Sequence, residues 1–343
     1  MIFNNIEFYN VAELKDGVLY RFPEKVCNAL GVPKYDRAGN YLREYKGHIV
    51  SARASFGCEL RFITQSQKIN FCFESEKSIW LNVYNGDFLL FSQQVEAGRN
   101  EFSFTYPDGL DGLKEKADKR FDPRVWRICP EGEGDIRFIS LITENGERIS
   151  PPPKNFLPSY KLLVYGSSIS QGVGTPYTAL NYVSTAAQIL NIDVLNKSMA
   201  GGCFCEKEVV EYLCSQDFDG IWLECGTNIA DRPRQIAEER IVYLIDTICR
   251  NFPQKQVFLV TPFPAFSDVS NNSVDYEQNF ANTRSIISET AKHYPNTVLV
   301  DGHVLMCKAN YLSADLLHPS AYGHVMTGIN VAGFLRENLK RNI

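Results

Sequence analysis

The chain reads as an α/β protein in two parts, a β-sandwich followed by a domain built around a central parallel sheet. Three observations predict this. Up to about residue 150, short stretches alternate apolar and polar residues, turn signals are frequent and helical patterns are few. From residue 161 onward, short apolar runs alternate with amphipathic stretches of helical length. Between the two lies Pro151-Pro152-Pro153, which continues neither a central strand nor a helix interior, because proline lacks the amide donor and fixes φ. The expected domains are therefore 1–155 and 156–343.

In the first part, residues 68–74 alternate in the manner of a half-buried strand. Residues 79–84, Asn85-Gly86-Asp87 and 88–91 read as strand, tight turn and strand, with Asn-Gly supplying the positive φ angles of a two-residue hairpin. Further strands are expected at 48–56, 59–64, 100–105, 124–129 and 135–142. In the second part, strands are expected at 162–165, 193–196, 220–224, 257–260 and 297–300. Helices are expected at 179–190, 206–215, 233–251, 276–292 and 322–340. Such βαβ units place helices on both faces of a parallel sheet, and sites form at the carboxyl ends of its strands. Ser168, Gly201 and Asn228 all fall just beyond such ends.

Composition bounds the function classes. Of 343 residues, 44% are hydrophobic and 22% charged, which suits a soluble globular protein. A formal net charge of −5 gives no electrostatic footprint for nucleic acid. No apolar run approaches a membrane span, and the N-terminus lacks the basic and apolar regions of a signal peptide. Without an export signal, the 10 cysteines are expected as reduced and mostly buried thiols, and the protein as cytoplasmic. There is no internal repeat and no low-complexity segment.

The chemistry concentrates in two stretches. The apolar run 161–165 ends in Gly166-Ser167-Ser168, and far downstream Asp315-Leu-Leu-His318-Pro319 sets a carboxylate three residues before a histidine. A serine hydroxyl is a poor nucleophile until a base takes its proton. His318 suits that task because imidazole titrates near neutrality, and Asp315 suits holding it in one tautomer. The oxyanion of a tetrahedral intermediate needs donors, for which the amides of Ser168 and Gly201 and the side chain of Asn228 are candidates. Each feature also has a plainer reading: a turn after a strand, the start of a helix before Pro319, a turn-forming asparagine. Their occurrence in order at successive strand ends favours the catalytic one.

Other features are weaker. Cys203-Phe-Cys205 lacks a second metal-binding spacing and reads as ordinary thiols. His48, His293, His303 and His324 read as structural or surface residues, although His303 follows a strand end. Glu224 ends an apolar strand near the proposed site, either touching substrate or accepting hydrogen bonds from turn amides. Trp80, Tyr84, Phe88 and Trp126 could stack on a sugar, but at strand periodicity they read as core. The glycine-rich stretch 166–174 lacks both GxGxxG and the P-loop lysine, so no nucleotide site is assigned.

Gly166-Ser167-Ser168-Ile169, Asn196-Lys-Ser-Met-Ala-Gly201, Gly226-Thr227-Asn228 and Asp315-Leu-Leu-His318-Pro319 together resemble the four blocks of the SGNH/GDSL hydrolase superfamily, over roughly residues 160–340. The resemblance implies an SGNH, flavodoxin-like three-layer α/β/α domain with a central parallel sheet. It implies Ser168 as nucleophile, His318 as base with Asp315 behind it, and Ser168, Gly201 and Asn228 as oxyanion donors. Ser167 stands where many members carry Asp, and Ile229 follows Asn228 where many have Asp. Ser170 occupies the position of the closing glycine of the α/β-hydrolase elbow, which argues against that larger class.

A β-sandwich, jelly-roll-like, ahead of such a domain is similar to bacterial carbohydrate esterases of the second family. That similarity implies removal of short acyl groups, acetyl above all, from a small acylated carbohydrate, with no metal or organic cofactor. Lipase or thioesterase activity on lipid-like esters is the alternative, and an inactive carbohydrate-binding protein is a third. Nucleic acid and membrane are not expected as partners, and a homo-oligomer is compatible with the sequence.

Overall fold

The computed structural model describes residues 1–30, 32–35, 41–45, 48–113, 120–271 and 277–340. The chain divides into two compact units. One comprises Met1–Glu24, Arg53–Ser159 and Asn191–Asp193; the other comprises Lys25–Ala52, Tyr160–Leu190 and Val194–Ile343. The division is not a single cut, because each unit borrows a segment from the other's stretch of sequence.

The first unit is a β-sandwich of two antiparallel sheets. One sheet runs in the order Ile2–Phe3, Ile6–Tyr9, Glu59–Thr64, Trp126–Glu131, Ile79–Asn85, Phe88–Val95, with Ile149–Ser150 paired to Glu59–Thr64. The other runs Gly98–Thr105, Lys68–Ser75, Ile136–Thr143, Val18–Tyr20, Glu13–Lys15. Alternate residues of both sheets, among them Phe8, Leu60, Phe62, Phe71, Phe73 and Trp126, form one buried cluster. Period-2 burial of this kind stabilises by roughly 25 cal/mol per Å² of apolar surface. Trp126 and Tyr84 are therefore core residues, whereas Phe88 is partly exposed.

Two expectations need correction here. The hairpin pairs Asn85 with Phe88, so its two-residue loop is Gly86-Asp87, one residue later than expected. Only Gly86 has positive φ (+59), so glycine sits at the first loop position, the type II′ arrangement. Residues 48–56 are not a strand: His48–Arg53 is a helix. Ile49, Val50 and Phe56 favour extended structure there, but Ser51-Ala52-Arg53-Ala54-Ser55 between them offers no β-branched or aromatic residue to continue it.

The second unit carries a five-stranded sheet. Its strands are β1 (Lys161–Gly166), β2 (Asp193–Asn196), β3 (Gly220–Glu224), β4 (Gln256–Val260) and β5 (Thr297–Val300). Their order is β2-β1-β3-β4-β5, and β1–β3, β3–β4 and β4–β5 pair in parallel. This is the doubly wound order in which the crevice lies at the carboxyl ends, beside β1. Every residue of β3 and β4 is buried, which is why these strands read as unbroken apolar runs. The helices form two packed groups: Tyr182–Leu190 with Ala321–Asn338, and Arg234–Asn251 with Lys207–Cys214 and Glu277–Ala291. Expected helix bounds differ by a residue or a few; the expected start at residue 276 lies outside the described residues.

All ten cysteines are free thiols, eight of them buried. Among the described residues, no helix is long and apolar enough to cross a membrane.

Candidate active site

Strand β1 ends at Gly166, and the chain turns at once into a one-turn helix, Ser168–Gln171. Ser167 caps that helix, its hydroxyl oxygen accepting the Ile169 N–H at 3.2 Å. Glycine is needed at 166 because a Cβ there would lie 2.6 Å from Ser170 Oγ and 2.8 Å from Glu224 Oε2. Ser168 opens the helix and is 6% exposed.

The Asp/His stretch is a closed loop. Leu312 bridges Pro319, and the Ser313 N–H donates to the His318 carbonyl at 2.7 Å. Inside it, Asp315 Oδ1 accepts the amides of Leu317 and His318, each at 3.0 Å. Asp315 Oδ2 lies 2.7 Å from His318 Nδ1. An ionised carboxylate only accepts, so Nδ1 carries the proton and the lone pair of Nε2 is free. Nε2 lies 2.8 Å from Ser168 Oγ, so the hydroxyl donates to it. Burial works against ionisation of Asp315, yet the His318 ring and the two amides hold its carboxyl below the usual range.

The loop after β2 is tied to the turn that carries Ser168. Asn196 Nδ2 donates to the Ser170 carbonyl at 2.8 Å, and Gln171 Oε1 accepts the Ala200 N–H at 2.8 Å. Gly201 follows in the left-handed region (φ +63). The Cys203 N–H donates to Asn228 Oδ1 at 3.0 Å. A backbone amide can only donate, so the atom facing Cys203 is the oxygen and Asn228 Nδ2 is directed away from it. Among the described residues, the amides of Ser168 and Gly201 and Asn228 Nδ2 have no intramolecular acceptor. These are donors of the kind an oxyanion requires.

Three further contributors surround these groups, and of them only Glu224 is marked in the sequence. Glu224 is fully buried and accepts hydrogen bonds from turn groups, the second of the two readings considered for it. Its Oε2 accepts Ser167 N–H (2.8 Å), Ser167 Oγ (2.6 Å) and Ser170 Oγ (3.0 Å), and its Oε1 accepts Thr227 Oγ1 (3.2 Å). Ser51, from the borrowed segment, donates to Gln171 Oε1 at 2.5 Å. His324 lies buried beneath the site, with Nε2 2.9 Å from the Val173 carbonyl and Nδ1 accepting the Tyr182 N–H at 3.3 Å. No local signal marks Ser51 or His324.

The remaining candidates fall elsewhere. His303 sits 3.2 Å from Asp268 and belongs to a cluster with Arg284. The side chain of His48 lies outside the described residues. Burial pushes the Cys203 thiol up, and a hydrogen bond with Cys203 together with burial raises Cys205, so both stay protonated and unreactive. Among the described residues, no group of three or more His, Cys, Asp or Glu side chains could hold a metal.

A serine at a parallel-sheet edge, a histidine backed by a carboxylate and nearby N–H donors form an arrangement chemically suited to acyl transfer. Residues 160–328 match the family model of the GDSL-like lipase/acylhydrolases. Among solved structures, the chain is similar to a salicylyl-acyltransferase from a tetracycline biosynthetic pathway (16% identity, TM-score 0.76, covering 97% of this chain and 95% of that one). It is also similar to a family two carbohydrate esterase from Cellvibrio japonicus (15%, TM-score 0.62, 97% and 95%). A family two carbohydrate esterase from Clostridium thermocellum, in complex with cellohexaose, is similar over 82% of this chain and 92% of its own (15%, TM-score 0.58). At these identities the likeness is one of fold, and it extends over both parts of the chain. No curated protein matches significantly.

Proposed function

We propose that the protein is a serine esterase that removes short acyl groups, acetyl above all, from a carbohydrate. The observation that carries the reading is the in-line pair of contacts, Ser168 Oγ to His318 Nε2 at 2.8 Å and His318 Nδ1 to Asp315 Oδ2 at 2.7 Å. Ser168 Oγ attacks the ester carbonyl as its proton passes to Nε2, and Asp315 stabilises the imidazolium. The carbonyl oxygen takes up negative charge against the amides of Ser168 and Gly201 and Asn228 Nδ2. The alkoxide leaves with the proton from His318, and an acyl-serine remains. Water, deprotonated by the same nitrogen, then releases the acid and regenerates Ser168. The carbohydrate part of the reading is supported by fold likeness to family two carbohydrate esterases alone.

A longer-chain acylhydrolase is the second reading. It is favoured by an apolar cluster of Ala230, Ala265 and Phe280, with Phe266 and Leu317 against it, since Leu317 adjoins His318 and Ala230 follows Asn228 by two residues. One experiment tests both. Acetylated sugars are compared with a p-nitrophenyl ester series from two to twelve carbons, alongside fluorophosphonate labelling located by mass spectrometry. The first reading expects Ser168 to be labelled and the two-carbon ester to be preferred. Preference for chains of eight carbons or more supports the second reading, and absence of label on Ser168 overturns both.

A further inference from the structure

Glu224 is a carboxylate with no counter-ion. It is fully buried, and among the described residues no lysine, arginine or histidine pairs with it. An ionised carboxylate in such a place is costly unless hydrogen bonds replace its hydration. Here four do, and they come from the two segments that carry the reacting groups. Three arrive from the turn of the nucleophile, through Ser167 and Ser170, and one from Thr227, the residue before Asn228.

The donors are themselves oriented. Trp222 Nε1 can only donate, and it reaches Tyr182 Oη at 2.9 Å. The Tyr182 hydroxyl, 2.6 Å from Ser170 Oγ, is thereby turned to donate to Ser170, and Ser170 to donate to Glu224. The chain of donors runs one way and ends on a group that only accepts. Gly166 lets the carboxylate come this close, since a Cβ would stand 2.8 Å from Oε2.

We infer that Glu224 is a positioning residue: in its ionised form it clamps the turn bearing Ser168 to the loop bearing Asn228, and its protonation weakens the clamp. The inference rests on the proposed esterase reading of the site. A neutral carboxylic acid gives up the charge assistance of all four bonds, and it must place its proton toward one of the groups that now donate to it, so at least one clamp bond reverses or breaks. Burial raises this carboxyl above its ordinary range, with the bonds from Ser167, Ser170 and Thr227 opposing. The other titratable groups around it are held in their neutral forms. Burial raises Tyr182 and Cys203, and Cys225 is raised by its hydrogen bond with Cys205 and by burial. His318 acts at one remove, through Ser168.

The test measures the rate at which a fluorophosphonate labels Ser168, from pH 4 to 8, in the full chain. This reaction needs the nucleophile, base and oxyanion donors, but no knowledge of the natural substrate. The wild type should show an acid limb of slope near two, because His318 must be neutral and Glu224 ionised together. Glu224→Gln should label about 10²-fold more slowly at pH 8, with a slope near one and an unchanged circular dichroism spectrum. Should that variant fail to fold, Thr227→Val, which removes only the tie to the Asn228 loop, should lower kcat for p-nitrophenyl acetate about tenfold with KM unchanged. A wild-type slope of one, or Glu224→Gln labelling at the wild-type rate, overturns the inference and leaves the esterase reading intact. Absence of any label on wild-type Ser168 overturns the esterase reading itself, and this inference with it.

Discussion

Asp315 divides its two oxygens, giving Oδ1 to the amides of Leu317 and His318 and Oδ2 to His318 Nδ1. The same carboxylate thus shapes the loop and sets the tautomer of His318. Asp315→Asn would keep the loop bonds through its carbonyl oxygen but turn an NH₂ toward Nδ1, favouring the wrong tautomer. We expect a kcat loss of about 10⁴ for Asp315→Asn and about 10⁶ for Ser168→Ala or His318→Ala, with the fold retained in all three. Steady-state hydrolysis of p-nitrophenyl acetate checks this. Asp315→Asn within tenfold of wild type would remove Asp315 from the mechanism.

Asn228 is expected to act in the transition state. Its Oδ1 is committed to Cys203 N–H at 3.0 Å, so Nδ2 is the end available to substrate. Asn228→Ala should lower kcat by about 10²–10³ with KM nearly constant, because the donor meets charge that exists only as the tetrahedral intermediate forms. A raised KM with kcat preserved would assign Asn228 to substrate binding instead.

The parts of the fold legible in the sequence are those whose signals are local. β3 reads as an unbroken apolar run because both of its faces are buried, and the Asp315–His318 spacing is a property of one tight loop. The segment around His48–Arg53 misleads because Ile49-Val50 is too short a run to distinguish strand from helix. The borrowed segments, Lys25–Ala52 and Asn191–Asp193, have no local mark at all, since partnership is decided by packing. The bonds that Glu224 accepts from Ser167 and Ser170 span 57 and 54 residues, and only the folded sheet edge brings them together. Ser167 departs from the familiar pattern beside Ser168, and its partnership with Glu224 gives that departure a physical account.

His324 makes stability depend on pH. Its Nδ1 accepts the Tyr182 N–H, so protonating that nitrogen would set two donors face to face. Burial, with the nearby His318 ring adding to it and the Val173 carbonyl opposing, pushes its pKa down to about 4. Above the unfolded value of about 6.5 the group is neutral in both states and has no effect. Between there and about 4 the unfolded chain binds the extra proton, so stability falls as pH falls, by roughly 3 kcal/mol over the window. His324→Gln carries no such proton, so its stability should change less than that of wild type by about this amount. Denaturant unfolding of both proteins at pH 7 and pH 4.5 checks this; parallel pH dependences would sink it.

The last prediction concerns the segment Asn191–Asp193, which belongs to the first unit although its sequence lies within the second. Asp193 holds Arg61 with two bonds, 2.6 Å to Nη1 and 2.9 Å to Nη2. Arg61 is 1% exposed and also meets Glu59 at 2.8 Å, while Glu59 binds Arg127 at 2.6 Å. Replacing one member of such a pair leaves a buried charge without its partner, which costs about 3–5 kcal/mol, whereas replacing both by apolar groups costs far less. Asp193→Asn should therefore lower the melting temperature sharply. Arg61→Met should restore part of the loss in the double variant, because the excess positive charge left around Glu59 goes with it. Glu59 would still face Arg127, so the rest of the network should survive. If the single and double variants melt together, the Arg61–Asp193 pair is not what fixes this segment. If Asp193→Asn melts within about a degree of wild type, the pair contributes no net stability at all.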